Sequence, residues 1–327
     1  MKDIFRINLQ LFAEMNTQTT LLNETGNNLS PEMKTFYDMT LIDEASAQLV
    51  HDQFGQKRPI PANGGKTIEF RKFSSLPKAT TPITEGVTPA GNKLNVSTIT
   101  GTVYQYGDYI VQSDVLELTS IDNTIVEATK ILGKQAGATL DTVVRKVLIG
   151  GTSVQYCGGK ASRDALTADD KITVEEIQKA VAFLRAQNAP TINGDYVAII
   201  HPYAAFDLMR DPEWIDAHKY AAPENLYTGE IGKVAGVRFV QTSEAAILAG
   251  GVFCTLVIGE GAYGVTEITG GGLQTIVKQK GSAGTGDPLD QRSSVGWKAM
   301  KTAERLVENY MVRIESKGAY SASVNPN

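Results

Sequence analysis

The turn Asn63–Thr67, with the sequence NGGKT, is the stretch of the chain most suggestive of catalysis, because its Gly-Lys-Thr ending matches that of a phosphate-binding loop. A complete loop of that kind has its first glycine five positions before the Gly-Lys pair, where this chain has Ile60. The loop must also open a helix whose N-terminus binds the phosphate, whereas the following TIEFRKF alternates like a strand. A nucleotide-binding enzyme that uses Gly65, Lys66 and Thr67 is therefore the disfavoured alternative.

A second glycine pattern lies at Gly259, Gly261 and Gly264, whose spacing is that of a dinucleotide-binding fingerprint. That fingerprint requires a helix after the glycines, but VTEITGGG follows here and reads as a strand and a turn. The pattern therefore predicts a turn between two strands.

Cysteine and histidine are too few and too scattered to indicate a metal site. No CxxC or HxxxH pair occurs, and no GxSxG motif marks a nucleophile. We expect free structural cysteines, surface histidines, no catalytic residue and no cofactor. The residues concerned are Cys157, Cys254, His51, His201 and His218.

The composition is that of a globular protein with more than one subdomain. The chain has 327 residues, of which 42% are hydrophobic and 20% charged, and its net charge is -5. This balance argues against a dedicated nucleic-acid binder, although not against a protein that encloses nucleic acid. No apolar run is long enough to cross a membrane, and Arg6, Asn8 and Gln10 interrupt the apolar start, so neither membrane insertion nor secretion is expected.

The first third of the chain predicts an arm, a helix and a long excursion. Asn16–Pro31 reads as an extended arm, and Ser30 caps a helix that Pro31 begins. Residues 74–95 carry prolines and glycines that forbid a helix, so a long protruding hairpin is expected there. Its flanking strands are Lys66–Phe73 and Val96–Val111. The apolar side of the first helix comprises Met33, Phe36, Tyr37, Leu41 and Ile42.

The strongest helix pattern runs from Ile121 to Ile149, with Ser120 or Asp122 as its cap. Gly133 and Gly137 lie one turn apart on this helix, which predicts that another backbone passes closely there. Its polar residues, among them Asp141 and Arg145, indicate a soluble helix. The apolar stripe comprises Ile121, Ile125, Ala128, Leu132, Ala136, Leu140, Val143 and Val147.

The second half of the chain alternates helices and strands as a compact α/β unit does. Thr173 and Glu176 form a capping box at the start of a helix. YVAII at Tyr196–Ile200 predicts a buried strand, AAFDLMRD predicts a helix, and GVRFVQTSE and VFCTLVIGEGAYGVTEI predict further strands. The spacing of apolar residues after residue 291 is compatible with either a helix or a strand. The pattern at Met311–Glu315 predicts a terminal strand.

The stretch GTVYQYGDYIVQSD, from Gly101 to Asp114, contains three tyrosines but no lysine or arginine. Tyrosines can stack nucleotide bases, but such sites also need cationic side chains for the phosphates. We therefore expect these tyrosines to be strand residues with apolar bodies and polar tips.

The order of these elements resembles that of the major capsid proteins of tailed bacteriophages, with the fold named for phage Hong Kong 97. The closest resemblance is to the N-four-type family. It rests on TPITEGVTP, TVYQYGDYIVQSDVLELT, GKQAGATLD, AIIHPYAAFDLMRD and GVRFVQTSEA, and on the leader-like INLQLFA, and it covers Leu21 to Ser316.

This resemblance implies an α+β fold with an N-terminal arm (1–61), an extended loop (62–106), a peripheral domain with a spine helix (107–170), an axial α/β domain (171–270) and C-terminal strands that return to the peripheral domain (271–327). Copies of the chain would assemble as hexamers and pentamers of an icosahedral head that encloses double-stranded DNA. A separate scaffolding protein and a portal would be partners, and assembly would take place in the bacterial cytoplasm. A related encapsulating shell protein is the other alternative. The candidate inter-subunit contacts are Leu76, Lys78, Ile83, Val87, Lys93 and Leu94.

Overall fold

A computed structural model describes residues 31–46, 48–73, 76–83, 85–88, 91–119, 124–220, 230–282 and 286–327. The predicted arm before Pro31 lies outside these residues, as do the cap Ser30 and both candidate caps of the long helix. The helices are α1 (Pro31–Ser46), α2 (Asp114–Thr119), α3 (Thr124–Ile149), α4 (Val174–Ala186), α5 (Pro202–Met209) and α6 (Pro212–Tyr220).

The strands form three sheets. They are β1 (Gln56–Lys57), β2 (Thr67–Phe73), β3 (Val96–Thr102), β4 (Tyr104–Ser113), β5 (Val154–Tyr156), β6 (Tyr196–Ile200), β7 (Glu230–Val234), β8 (Val237–Gln241), β9 (Ile247–Leu248), β10 (Val252–Ile258), β11 (Tyr263–Thr266), β12 (Gln274–Lys278), β13 (Arg292–Arg305) and β14 (Met311–Ser316).

The first sheet is built around β13, which pairs with β4 along one edge and with β12 and β11 along the other, with β1 beyond β11. The second has the order β5-β14-β10-β6-β8-β7, with β9 beside β10. The third consists of β2 and β3 alone. The segment predicted as a single strand from Val96 to Val111 is therefore two strands, because the chain leaves β2 at Val103 and joins β13.

Helix α3 lies across the first sheet and continues into the space between the first and second sheets. Its buried side chains recur every four residues, at Ala128, Leu132, Ala136, Leu140, Val144 and Leu148. Leu132, Ala136 and Leu140 pack with side chains of β13, while Val144 and Leu148 pack with residues of both sheets. Of the other predicted stripe positions, Ile125 and Val147 are partly buried and pack against these cores. Val143 is half-buried and belongs to neither core, so its place in the stripe is wrong, and Ile121 lies outside the described residues.

Helix α1 packs along α3, and the two glycines of α3 make this possible. A Cβ at Gly133 would lie 2.9 Å from the Leu41 carbonyl oxygen, and one at Gly137 would lie 3.0 Å from the Cα of Ala45. The prediction that another backbone passes these glycines is confirmed, and that backbone is α1. Leu41 and Ala45 are buried, but Ile42 is exposed and was wrongly placed on the apolar side.

The α/β unit follows its sequence signals closely. The Thr173 side chain accepts a hydrogen bond from the Glu176 N–H, which confirms the cap of α4. Strand β6 is buried along its whole length and pairs with β10 and β8. The helix predicted from AAFDLMRD is α5, and β8, β10 and β11 occupy the predicted strand segments.

The sheets do not divide the chain at the expected domain limits. Strand β14 pairs with β10 and β5, so this terminal strand belongs to the sheet of the α/β unit and does not return to the sheet under α3. Strand β11, which was expected in the α/β unit, instead pairs with β13. The period of a strand indicates which side chains are buried, but not which sheet it joins.

Replacing Gly137 with leucine should destabilise the subunit, since the added side chain would collide with the backbone of α1. Overpacking costs about 1–3 kcal/mol, while the better helix propensity of leucine returns less than about 1 kcal/mol. The urea midpoint should therefore fall. Lys146→Leu, at an exposed position of the same helix, is the control and should change the midpoint little. A higher midpoint for Gly137→Leu would contradict this packing.

Candidate assembly surfaces

The six residues predicted to contact a neighbouring subunit all lie on the excursion between β2 and β3. Their side chains are exposed, and Ile83 is the most exposed of the apolar ones at 76%. Within the described part of the excursion, no helix or strand is formed and no ion pair involves Lys78 or Lys93. The excursion thus presents apolar side chains for which its own subunit supplies no core. Their role as inter-subunit contacts stays a prediction.

The base of the excursion is fixed to the body of the subunit by Phe70 of β2. This side chain is buried, and its ring covers Gly264 of β11, where an added Cβ would lie 2.7 Å from the ring. Gly101 of β3 likewise lies against Glu304 of β13, since a Cβ there would be 2.9 Å from the Glu304 side chain. Burial raises the pKa of Glu304. The excursion therefore starts from a base that is packed against the first sheet.

This contact also explains the dinucleotide-like glycine pattern. Gly259–Gly264 spans the turn between β10 and β11, as predicted, and no helix follows it. Gly261 has a positive φ of 71°, and Gly264 leaves room for the Phe70 ring. The NGGKT turn likewise leads directly into β2, with Asn63 and Gly65 at positive φ. Both patterns are therefore explained by turn geometry and close packing.

One face of the first sheet is covered by α3, while the other is covered near β11 by Phe70 of β2 and is exposed near β4. On the exposed part of this face, Gly107 of β4 and Gly296 of β13 leave the floor of a groove of about 350 Å³. Tyr109 stands beside it with 68% of its surface exposed, and Val111 is exposed as well. The groove lining comprises Gly107, Asp108, Tyr109, Ile276, Ser294, Gly296 and Trp297. Tyrosine and apolar side chains around an open groove suit a protein–protein contact.

Helix α2 adds a second exposed apolar patch next to this sheet. None of its residues is buried, and Val115, Leu116 and Leu118 are all exposed, the last at 80%. Its position is fixed by the Asp114 N–H, which donates to the Gln291 carbonyl, and by an ion pair of 3.0 Å between Glu117 and Lys280. This clustering of large apolar side chains on a short helix indicates a contact surface.

A buried polar cluster joins the turn after α1 to α3, and the sequence did not reveal it. The carboxylate of Asp141 accepts hydrogen bonds from the Val50 N–H at 2.9 Å, the His51 N–H at 2.7 Å and His51 Nδ1 at 2.6 Å. Tyr263 of β11 donates its hydroxyl to the His51 carbonyl. No local sequence motif could predict this cluster, because His51 and Asp141 are distant in the sequence.

A second buried charge lies beside this cluster. Asp52 is 2.6 Å from Lys301 of β13 and 3.2 Å from Lys57 of β1. Burial alone would raise the pKa of Asp52, but the two lysines outweigh it and hold the pKa below its ordinary value. The turn after α1 is therefore tied to α3 by the buried Asp141 and to the first sheet by the buried pair of Asp52 and Lys301, whereas Lys57 is exposed.

The cysteines are free and buried, as predicted, but the prediction of surface histidines is wrong for the two that can be judged. His51 belongs to the cluster described above, and His201 caps α5 by accepting a hydrogen bond from the Tyr203 N–H at 3.2 Å. The side chain of His218 lies outside the described residues. Burial, and then the carboxylate of Glu315, raise the pKa of Cys254 to about 12, so this thiol stays uncharged.

His201 gives the subunit a predicted pH dependence. Burial lowers the pKa of His201 in the folded state, so the unfolded chain binds the proton more readily. This contribution to stability is complete above the unfolded pKa of about 6.5 and is lost as the pH falls through the lower folded pKa. The urea midpoint should drop between pH 7 and pH 5. His201→Asn, which keeps a capping acceptor, should drop less, and equal slopes for the two proteins would contradict this role.

Two absences in the described part of the chain bear on other functions. No three or more His, Cys, Asp or Glu side chains there are grouped so that they could hold a metal ion. None of the helices described combines the length and apolar composition needed to span a membrane.

Comparison with known proteins identifies the family. A family profile described as "Phage capsid protein" matches residues 96–310, which is well over half of the chain. The chain belongs to the phage capsid protein family. The match begins at β3 and ends just before β14, so it includes α2, α3 and most of both large sheets. No curated protein sequence matches the chain.

Solved capsid structures share the fold of this family member at low sequence identity. The capsid of Ralstonia phage GP4 is 14% identical with a TM-score of 0.65, over 86% of this chain and 92% of that one. The capsid of cyanophage Pam1 is 13% identical with a TM-score of 0.64, over 98% and 100%. A virus-like particle from Pyrococcus furiosus is 11% identical with a TM-score of 0.52, over 86% and 99%. The predicted α+β capsid fold is confirmed, and the N-four-type assignment stays a prediction.

Proposed function

We propose that this chain is the major capsid protein of a tailed bacteriophage and that its copies assemble into hexamers and pentamers of an icosahedral head around double-stranded DNA. The family match over residues 96–310 is the observation that carries this proposal. The protein acts structurally and has no catalytic role. A separate scaffolding protein and a portal take part in assembly, which occurs in the cytoplasm of the host bacterium.

The exposed surfaces of the subunit support assembly with other copies. The excursion between β2 and β3 presents Leu76, Ile83, Val87 and Leu94 to solvent, and the groove around Gly107 and Gly296 is open on the first sheet. We assign the excursion of one subunit to the open sheet face of its neighbour. Many modest contacts of this kind suit a closed shell, since strong pairwise contacts would trap incorrectly assembled particles.

Four segments are given the roles that the family resemblance implies, with limits adjusted to the sheets. The arm ends near residue 61, the extended loop is the β2–β3 excursion, and α3 is the spine helix of the peripheral domain. The axial domain is centred on β6, β8 and β10, and it receives β5 and β14 from outside residues 171–270. In the proposed shell, this domain meets its copies at the centres of hexamers and pentamers.

Purification of the full chain, followed by sedimentation and electron microscopy, tests this proposal directly. We expect closed shells or capsomers, formed with the scaffolding protein if the chain alone does not close. ATP hydrolysis should be absent, and Lys66→Ala should leave assembly unchanged because Lys66 is exposed in a turn that leads into a strand. A chain that stays monomeric and loses an ATPase activity on Lys66→Ala would establish the enzyme alternative instead.

A related encapsulating shell protein is the second candidate, because the fold also matches the virus-like particle from Pyrococcus furiosus. Nucleic-acid content separates the two. Shells isolated from the natural source should contain double-stranded DNA if the protein is a phage major capsid protein, whereas shells filled with protein cargo would support the second candidate.

A further inference from the structure

Strand β4 has one paired edge and one open edge. All ten of its residues pair with β13, and no strand among the described residues pairs with its other side. The Tyr109 N–H donates to the Asp108 carboxylate at 2.8 Å instead of to β13. Because consecutive residues of an antiparallel strand point their N–H and C=O groups to opposite sides, the odd-numbered residues of β4 direct theirs to the open edge.

Apart from Asp108, this open edge lacks the features by which proteins protect an exposed strand. Between Tyr104 and Ser113 there is no proline or lysine, and Asp108 is the only charged residue. Ten residues is also long for an edge strand, since the usual length is about 5–6 residues. A long, nearly uncharged edge is a template for pairing with a further strand.

Helix α3 leaves a slot above this edge. On one flank, α3 is covered by α1, which contacts β12. On the opposite flank, Gln135 donates to the Asp108 carboxylate at 2.6 Å, so this side of α3 lies over β4. Ile131 lies one turn before Gln135 on the same side and is 61% exposed. A strand added to β4 would therefore place alternate side chains beneath Ile131, beside the half-buried Tyr106 and Ile110.

The N-terminal residues supply a segment of the right pattern. Phe5, Ile7, Leu9 and Leu11 alternate with Arg6, Asn8 and Gln10, which is the pattern of a half-buried strand. Four apolar side chains on one face match a slot that has an apolar wall on one side and solvent on the other.

The course of α1 brings this segment to the correct end of the subunit. Leu41 lies against Gly133 and Ala45 lies near Gly137, so α1 runs parallel to α3 and Pro31 is level with the start of α3. The first residue of α3, Thr124, is hydrogen-bonded to Gln112 at the end of β4. Residues 12–30 can span about 60 Å when extended, which is ample for the return to β4.

We propose that Phe5–Leu11 adds as a strand to the open edge of β4 in the same chain, with its apolar side chains beneath Ile131 and its polar ones toward solvent. The covalent connection through residues 12–30 favours the same chain over a neighbour, because a linker that can span the distance gives an effective concentration in the millimolar range. The tyrosine-rich strand β4 thereby becomes an inner strand of the first sheet.

Residue-resolved hydrogen exchange on the unassembled full-length subunit tests this proposal. The amides of Gly107 and Val111, which point to the open edge, should exchange at least tenfold more slowly than unprotected amides. The double variant Ile7→Lys/Leu9→Lys should abolish that protection. Asn8→Lys/Gln10→Lys adds the same charge on the polar face and should preserve it. The amides of Tyr106 and Ile110, which bond to β13, are the internal control and should stay protected in every protein.

Three results would overturn the proposal. Unprotected Gly107 and Val111 amides in the wild-type subunit would show that the edge is unoccupied, whatever the variants do. Equal loss of protection in both double variants would show that the alternating apolar face is not what binds. Protection that grows with protein concentration would assign the strand to another copy of the chain.

Discussion

Replacement of residues 74–95 by an Asn-Gly turn should leave the subunit folded and abolish shell formation. Phe73 and Val96 are directly paired at the ends of β2 and β3, so a two-residue type I′ turn can join them without a change of register. The exposed side chains of the excursion contribute no core to their own subunit. Shortening the connection changes the closure entropy by only about 0.6 kcal/mol for each halving of its length.

Two measurements are needed to separate folding from assembly. Circular dichroism and thermal melting report the subunit, and both should resemble the wild type. Sedimentation and electron microscopy report shells, which should be absent. A second variant, in which Leu76, Ile83, Val87 and Leu94 are all serine, keeps the length of the excursion and removes its apolar contacts. We expect it to fail in assembly too.

The two variants also distinguish three outcomes. Normal closed shells from the shortened chain would show that the excursion has no part in assembly. A shortened chain that does not fold would show that the excursion belongs to the core of its own subunit. Shells from the serine variant alone would show that the backbone or the lysines of the excursion make the contact, and not its apolar side chains.

Asp141→Ala should be the most destabilising single substitution proposed here. It removes the acceptor of the Val50 and His51 N–H groups and of His51 Nδ1, all within a buried site. Leaving buried donors unpaired costs about 1–3 kcal/mol for each group, and the groups share one site, so we expect a loss of about 3–5 kcal/mol. That is a large part of the total stability of about 5–15 kcal/mol usual for a protein.

Urea unfolding of the unassembled subunit measures this loss, and Asp141→Asn is the matched control. The asparagine keeps one carbonyl oxygen for the backbone N–H groups, so its effect should be smaller than that of alanine. Hydrogen exchange in α1 should also increase in Asp141→Ala, because the turn after α1 loses its attachment to α3. A midpoint for Asp141→Ala within error of the wild type would refute a structural role for this cluster.

Local signals in the sequence determined most of the secondary structure. The four-residue recurrence of apolar residues predicted α3, and Thr173 with Glu176 predicted the start of α4, because helix periodicity and capping depend on neighbouring residues. Ile60 stands where a phosphate-binding loop would have its first glycine, and a strand pattern follows Gly264. These two observations predicted that NGGKT and the glycines at 259, 261 and 264 form turns. The glycines at 133 and 137 predicted a close backbone, although not which one.

The tertiary structure decided what depends on residues distant in the sequence. The partner of Gly137 is α1, the carboxylate that holds His51 is Asp141, and Gly264 is required by the ring of Phe70. No local pattern contains both members of such a pair. Sheet membership is equally non-local, since β14 and β11 have ordinary strand periods and yet join the sheets opposite to those expected. The alternation of residues along a strand predicts which face is buried. Which strands it pairs with depends on packing between segments that are distant in the sequence.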